Sequence, residues 1–213
     1  MEFRLLKKLR RFVLVSEMKA RKEITDETYS QVMLGGYYRV TKRWRMGLFG
    51  QAEQGLRWDA DWGKGPSGWG WKNSQGRWDY STVLDSTFMS QLTPKILYEV
   101  KTRLFYYHSR NALQLRVRPG VRYFVLKEGK PLWQLYTALE AYAPLNYGEG
   151  PLYEAWLYVG ALYQLTSRFS FGPLIAYRQR WFRSYDRFED ISGETFDTTF
   201  TSTNIGLSAV YSW

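Results

Sequence analysis

The sequence predicts an all-β chain, a transmembrane antiparallel up-and-down β-barrel of about ten strands with both termini on the periplasmic side. Three observations carry this. Apolar and polar residues alternate with period two over stretches long enough to cross a bilayer when tilted. The connections between those stretches alternate between short and long. Aromatic residues gather towards both ends of the stretches, where amphipathic rings prefer to sit in a membrane.

The composition excludes most other classes. The chain has 213 residues, enough for one domain, and 18% are aromatic, with 17 Tyr, 12 Phe and 10 Trp. Its mean hydropathy is nevertheless polar, at -0.45. A soluble domain would have to bury most of those rings in one core, whereas a barrel turns them to lipid and points polar residues inward. No apolar run approaches the ~18 residues a helical span needs. There is no Cys, so neither a disulfide framework nor a thiolate metal site exists. The net charge of +10 suggests anionic ligands or surfaces. Nucleic acid is not expected, because the basic residues recur along the whole chain instead of clustering.

Residues 1–11 are basic and are expected to form a periplasmic N-terminal arm or short helix. Only Phe12-Val13-Leu14-Val15 follows before Ser16 and Glu17, too short for a signal-peptide core. The expected export signal is therefore one already removed. The barrel is expected to fill 12–213, with strands near 12–22, 29–40, 44–58, 80–92, 96–107, 113–125, 132–143, 152–165, 169–183 and 198–213. Phe12, Leu14, Met18 and Ala20 face outward in the first, and Val32, Leu34, Gly36, Tyr38 and Val40 in the second. The third sets Trp44, Met46, Leu48, Gly50 and Ala52 against Arg45, Phe49, Gln51 and Glu53. Ile96, Tyr98, Val100, Thr102, Leu104 and Tyr106 form the outward strip of the fifth. Trp133, Leu135, Leu139 and Ala141 do so in the seventh, and Ile205, Leu207, Ala209, Tyr211 and Trp213 in the last.

Short turns are expected at 41–43, 93–95, 126–131 and 166–168, and longer loops at 23–28, 59–79, 108–112, 144–151 and 184–197. Tyr38, Trp44, Tyr98, Tyr123, Trp133, Tyr163, Phe169, Tyr211 and Trp213 would girdle the short-turn end. Trp58, Tyr80, Tyr106 and Trp181 would ring the other end. Pro119 and Pro173 fall in mid-strand beside Gly120 and Gly172, and predict bulges or bends there.

The final Ile205-Gly206-Leu207-Ser208-Ala209-Val210-Tyr211-Ser212-Trp213 resembles the C-terminal assembly signal of Gram-negative outer-membrane barrels, ending on Tyr211 and Trp213. Residues 113–181 also resemble an uncharacterised family of small outer-membrane barrels of unknown function. Arg118-Pro119-Gly120-Val121-Arg122-Tyr123, Leu139-Glu140-Ala141-Tyr142, Gly160-Ala161-Leu162-Tyr163 and Tyr177-Arg178-Gln179-Arg180 carry that likeness. It implies a barrel in the bacterial outer membrane, in contact with lipid bilayer and lipopolysaccharide. It also implies the barrel-assembly machinery as a partner during biogenesis. It implies no reaction and no cofactor.

The inward face offers the candidate site, a luminal charge network. Its cations are Arg45, Arg57, Lys101, Arg103, Arg116, Arg118, Arg122, Arg178 and Arg180, with Arg11, Lys19, Arg21 and Arg39 towards the ends. Its anions are Glu53, Glu99, Glu140 and Glu154, with Glu17 and Asp85. Phe105, Tyr107, Phe124, Tyr136, Tyr142, Trp156, Tyr158 and Phe182 also point in. A barrel of eight strands is plugged by side chains, and about ten lies near that limit. The alternative is a narrow anion-preferring channel, since excess Arg selects small acidic solutes.

His108 is the only histidine. His108-Ser109 is the sole pair that suggests rim-located lipid or peptide hydrolysis, and no Asp adjoins it in sequence. Trp62, Trp69, Trp71 and Trp78 lie in a Gly-rich loop as candidate contacts for an envelope protein partner or glycan. Asp186, Glu189, Asp190, Glu194 and Asp197 make the last loop acidic without calcium-ligand spacing. The expected function is therefore non-enzymatic: an envelope anchor or partner subunit with a charged, largely plugged lumen, needing neither metal nor cofactor.

Overall fold

The computed structural model describes residues 1–22, 28–55, 62–65, 68–71, 77–147, 152–183 and 197–212. Every regular element among them is a strand. The first six are β1 (Glu2–Leu9), β2 (Phe12–Lys22), β3 (Thr28–Arg39), β4 (Trp44–Gln54), β5 (Trp62–Gly65) and β6 (Gly68–Trp71). Then follow β7 (Trp78–Thr93), β8 (Ile96–Tyr107), β9 (Ala112–Lys127), β10 (Lys130–Pro144), β11 (Glu154–Gln164), β12 (Phe169–Arg183) and β13 (Asp197–Ser212).

Eleven strands close into one barrel, in the order β1-β13-β12-β11-β10-β9-β8-β7-β4-β3-β2. The short β5 and β6 pair separately as a hairpin between β4 and β7. The all-β barrel is as the alternation predicts, but its strand count is not. Residues 2–9 form a barrel strand where the sequence predicts an arm or helix. β1 pairs antiparallel with β2, Arg4 opposite Glu17 and Leu6 opposite Val15. Its other edge pairs parallel with β13, Glu2 opposite Ser208 and Leu6 opposite Ser212. The parallel seam follows from parity: an odd number of strands in an otherwise antiparallel ring leaves one pair running the same way. The basic residues hid this strand. Its inward Glu2 and Arg4 and outward Phe3 and Leu5 alternate with period two, but only over a short stretch.

The turns obey local chemistry. β9 and β10 are joined through Glu128 and Gly129, both at positive φ (53° and 74°), the mirror-image turn that matches strand twist. The prolines act differently from expectation. No register shift occurs at Pro119 or Pro173, which stand opposite Val100 and Leu207. Instead the β9–β10 ladder skips from Gly120 to Val117, and the β11–β12 ladder from Leu174 to Phe171. Each proline lacks a donor on one edge only, so one ladder is interrupted and the strand stays straight in register. The register shifts lie at strand ends, at Gln91/Thr93 and Pro131/Trp133.

The two faces differ as the pattern predicts. Leu14, Leu34, Leu48, Leu84, Leu139, Ile175, Ile205 and Leu207 all face outward and are exposed, Leu48 by 59% and Ile205 by 82%. Outward rings mark the short-turn end: Phe12 packs on Tyr38 at 5.1 Å, and Trp133 on Tyr163 at 5.0 Å. Inside, Val15, Met33, Phe49, Val83 and Phe105 form an apolar core with Tyr37, Tyr107 and Ala112. This protein buries its charges beside that core, and exposes its aliphatic residues.

Candidate functional site: the filled lumen

Four neighbourhoods of inward side chains line the barrel. The first lies at the seam. Arg4 Nε donates to Glu17 Oε2 at 2.7 Å, and Arg4 Nη2 reaches both Glu17 and Glu2. Lys19 Nζ is 2.9 Å from the other Glu17 oxygen, and Glu17 is 1% exposed. One strand of this cluster is β1, so the predicted arm supplies two of the charges in the lumen.

The second centres on Asp85. Its Oδ2 accepts from Arg103 Nε at 2.7 Å and from Tyr37 at 2.9 Å, while Thr87 donates to Oδ1 at 2.6 Å. The guanidinium of Arg45 lies 4.4 Å from the centre of the Tyr37 ring. Lys101 is buried alongside. Nearer the short turns, Arg122 Nη2 donates to both Glu99 oxygens at 3.1 and 3.0 Å, and Arg45 approaches the same carboxylate at 3.6 Å.

The third is an arginine held between rings. Arg116 lies 3.7 Å above Phe105 and 4.5 Å from Tyr142, and it donates to Gln114 at 2.7 Å and to Tyr107. A planar, weakly hydrated guanidinium suits such a site far better than an ammonium would. The fourth joins β11 and β12. Glu154 accepts from Arg180 Nε at 2.6 Å and from the Trp156 indole, and Arg178 lies 5.4 Å over Trp156.

Parts of this inward set are brought into contact, Arg122 with Glu99 and Arg180 with Glu154 among them. Arg45, Glu53, Glu99, Lys101, Arg103, Arg116, Arg118, Arg122, Glu140, Glu154, Arg178 and Arg180 all sit on inward positions of their strands. Arg57 lies outside the described residues. Glu140 takes its hydrogen bonds from tyrosines, Tyr158 at 3.0 Å and Tyr142 at 3.3 Å. Glu53 is fully buried and accepts from Tyr29 at 2.7 Å. Arg11 does not enter the lumen: it is exposed at the first turn and donates to Tyr38 at 3.3 Å. The sequence reading missed Arg4, Asp79 and the inward Val15, Met33, Tyr37 and Val83. A signal was present in the inward parity of Met33 and Val83, but an apolar residue on a polar face reads as noise.

A cavity of about 160 Å³ remains towards the long connections, among Arg116, Tyr142, Trp156, Arg178 and Arg180. Among the described residues no three His, Asp or Glu come together as a metal-holding group. His108 is exposed, with Nε2 3.0 Å from Thr82 Oγ1 and its ring edge-on to Tyr106. Ser109 instead donates to Asp79 at 2.6 Å, beside Arg77. His108 and Ser109 thus take separate partners. Trp78 opens β7 and is exposed. Trp62, Trp69 and Trp71 are placed by their backbone on β5 and β6. In the C-terminal segment expected to act as an assembly signal, Tyr211 pairs opposite Phe169 and Trp213 lies outside the described residues. No protein-family model matches the chain, and no curated protein matches it in sequence.

Proposed function

We propose that the barrel is an outer-membrane protein whose role is non-enzymatic, an envelope anchor or partner subunit with a filled lumen. The observation that carries this is the burial of charge inside: Glu17, Glu53, Asp85, Glu99, Lys101 and Arg103 are all at most 5% exposed, yet line the axis of an eleven-stranded ring. Paired charges with rings between them leave ions no continuous hydrated path through that layer. The bilayer placement is supported by the outward strip of leucines and isoleucines between two aromatic belts. Such an apolar belt far exceeds the patches that water-exposed monomers tolerate. The hairpin β5–β6, with Trp62, Trp69 and Trp71, is the surface assigned to an envelope partner.

Conductance of purified protein in planar bilayers tests the filled lumen. The expected record is bare leak current across the accessible voltage range. Steady, anion-preferring openings would replace this reading with the narrow channel. The channel reading draws on the cavity towards the long connections, which Arg116, Arg178 and Arg180 line together with Glu53, Glu140 and Glu154.

A further inference from the structure

The short-turn end of the barrel carries a charge pattern that the lumen does not explain. The β1–β2 turn holds Arg10 and Arg11, and the β3–β4 turn Lys42 and Arg43. Lys95 stands in the β7–β8 turn, Lys127 and Lys130 flank the β9–β10 turn, and Arg168 lies in the β11–β12 turn. Every hairpin at this end therefore presents at least one cation, and all of them are exposed. Glu128 is the only acid in these turns. Among the described residues none of these cations has a carboxylate at ion-pair distance. By sequence, the connections at the opposite end mix the two signs: acids prevail in 23–27 and 184–196, whereas 55–77 sets Asp59 and Asp61 among Arg57, Lys64, Lys72 and Arg77.

Depth is set by the neighbouring rings. Arg11 adjoins outward Phe12, Arg43 adjoins outward Trp44, and Arg168 adjoins Phe169, which stacks on exposed Phe171 at 6.0 Å. Aromatic rings of this kind lie at the headgroup boundary of a bilayer, so cations one step beyond them lie at the level of lipid phosphates. The distribution selects the partner. A protein docking on this end would need a contiguous patch on one side, whereas the cations here occur in every turn around the circumference. A lipid annulus surrounds a barrel in the same way.

We propose that this ring of cations is a binding surface for anionic glycerophospholipid headgroups, of the phosphatidylglycerol type, in the leaflet that meets the short turns. The proposal rests on the bilayer placement above, and adds a lipid preference to it. Each Lys or Arg near an anionic surface contributes about a factor of five in affinity. A lipid phosphate meeting one such cation at a time gains that factor over a zwitterionic neighbour.

The test uses the full chain reconstituted in phosphatidylcholine vesicles, with spin-labelled phosphatidylglycerol and spin-labelled phosphatidylcholine as probes of the motionally restricted lipid shell. The expected preference for phosphatidylglycerol is about fivefold at low salt, collapsing towards one at about 0.5 M NaCl as the charges are screened. The combined variant Arg10→Gln, Arg11→Gln, Lys42→Gln, Arg43→Gln, Lys95→Gln, Lys127→Gln, Lys130→Gln and Arg168→Gln should remove the preference while keeping the restricted shell. If that variant fails to fold, the salt series on the unaltered chain decides alone. A preference near one at low salt overturns the proposal, as does a preference that survives in the folded variant. Millimolar glycerophosphate should not displace the labelled lipid; displacement would mark a soluble-phosphate site instead. Polyglutamate binding that abolishes the preference would assign the ring to an acidic protein and overturn the lipid. A missing restricted shell with both probes would mean the barrel is outside the bilayer, and placement and proposal fall together.

Discussion

Arg103 stands directly opposite Asp85 on neighbouring strands, its Nε 2.7 Å from Oδ2, and both side chains are buried. Tyr37 donates to the same oxygen from β3, so three strands meet on one carboxylate. Asp85→Ala leaves the guanidinium and the phenol without that acceptor, and should destabilise the barrel by about 3–5 kcal/mol. Replacing both partners, as Asp85→Leu with Arg103→Met, should recover most of the loss. Urea unfolding in detergent micelles measures both. A single variant as stable as the parent would show the pair to be solvated.

Glu140 separates a filled lumen from a wet one. It accepts from Tyr158 and Tyr142 and is buried. In a packed interior Glu140→Ala removes a buried acceptor that two phenols share and should cost about 1–3 kcal/mol. In an open aqueous lumen the change should stay within about 0.5 kcal/mol, and anion preference should rise instead. Melting temperature and reversal potential on the one variant distinguish the two.

Strand β1 can be tested without touching the lumen. Leu5 faces outward and pairs opposite Ser16 and Tyr211. Leu5→Pro removes a ladder donor between two strands and should cost about 1–3 kcal/mol, seen as loss of the heat-modifiable folded band on gels. Leu5→Ala is the control and should keep that band. Equal behaviour of the two variants would return residues 2–9 to the status of a loose arm.

Placement makes its own demand. The outward strip through Leu14, Leu34, Leu48 and Ile205 should send the chain to the outer-membrane fraction and require detergent for extraction. A monodisperse protein from detergent-free lysate would falsify the placement.

Much of this molecule is legible in one dimension because a strand's side chains alternate with period two. The parity that sends Leu48 outward sends Glu53 and Arg45 inward, and it holds whatever the neighbours are. The inward set of charges could therefore be named residue by residue. Parity says nothing about which charge meets which. Glu140 shares an interior with Arg116 and Arg118, yet its hydrogen bonds come from Tyr142 and Tyr158. Arg116 rests on Phe105 and Tyr142 rather than on a carboxylate.

By itself, the sequence determined the all-β class, the alternating faces of the long strands and four of the short turns, since these depend on local alternation and turn chemistry. Only the tertiary structure decided that eleven strands close the ring, that β1 lies parallel to β13, and that Glu17 pairs with Arg4. Closure is a property of the whole circumference. A short, basic β1 gains its place from two flanking edges that are brought together only when β2 and β13 meet across the seam.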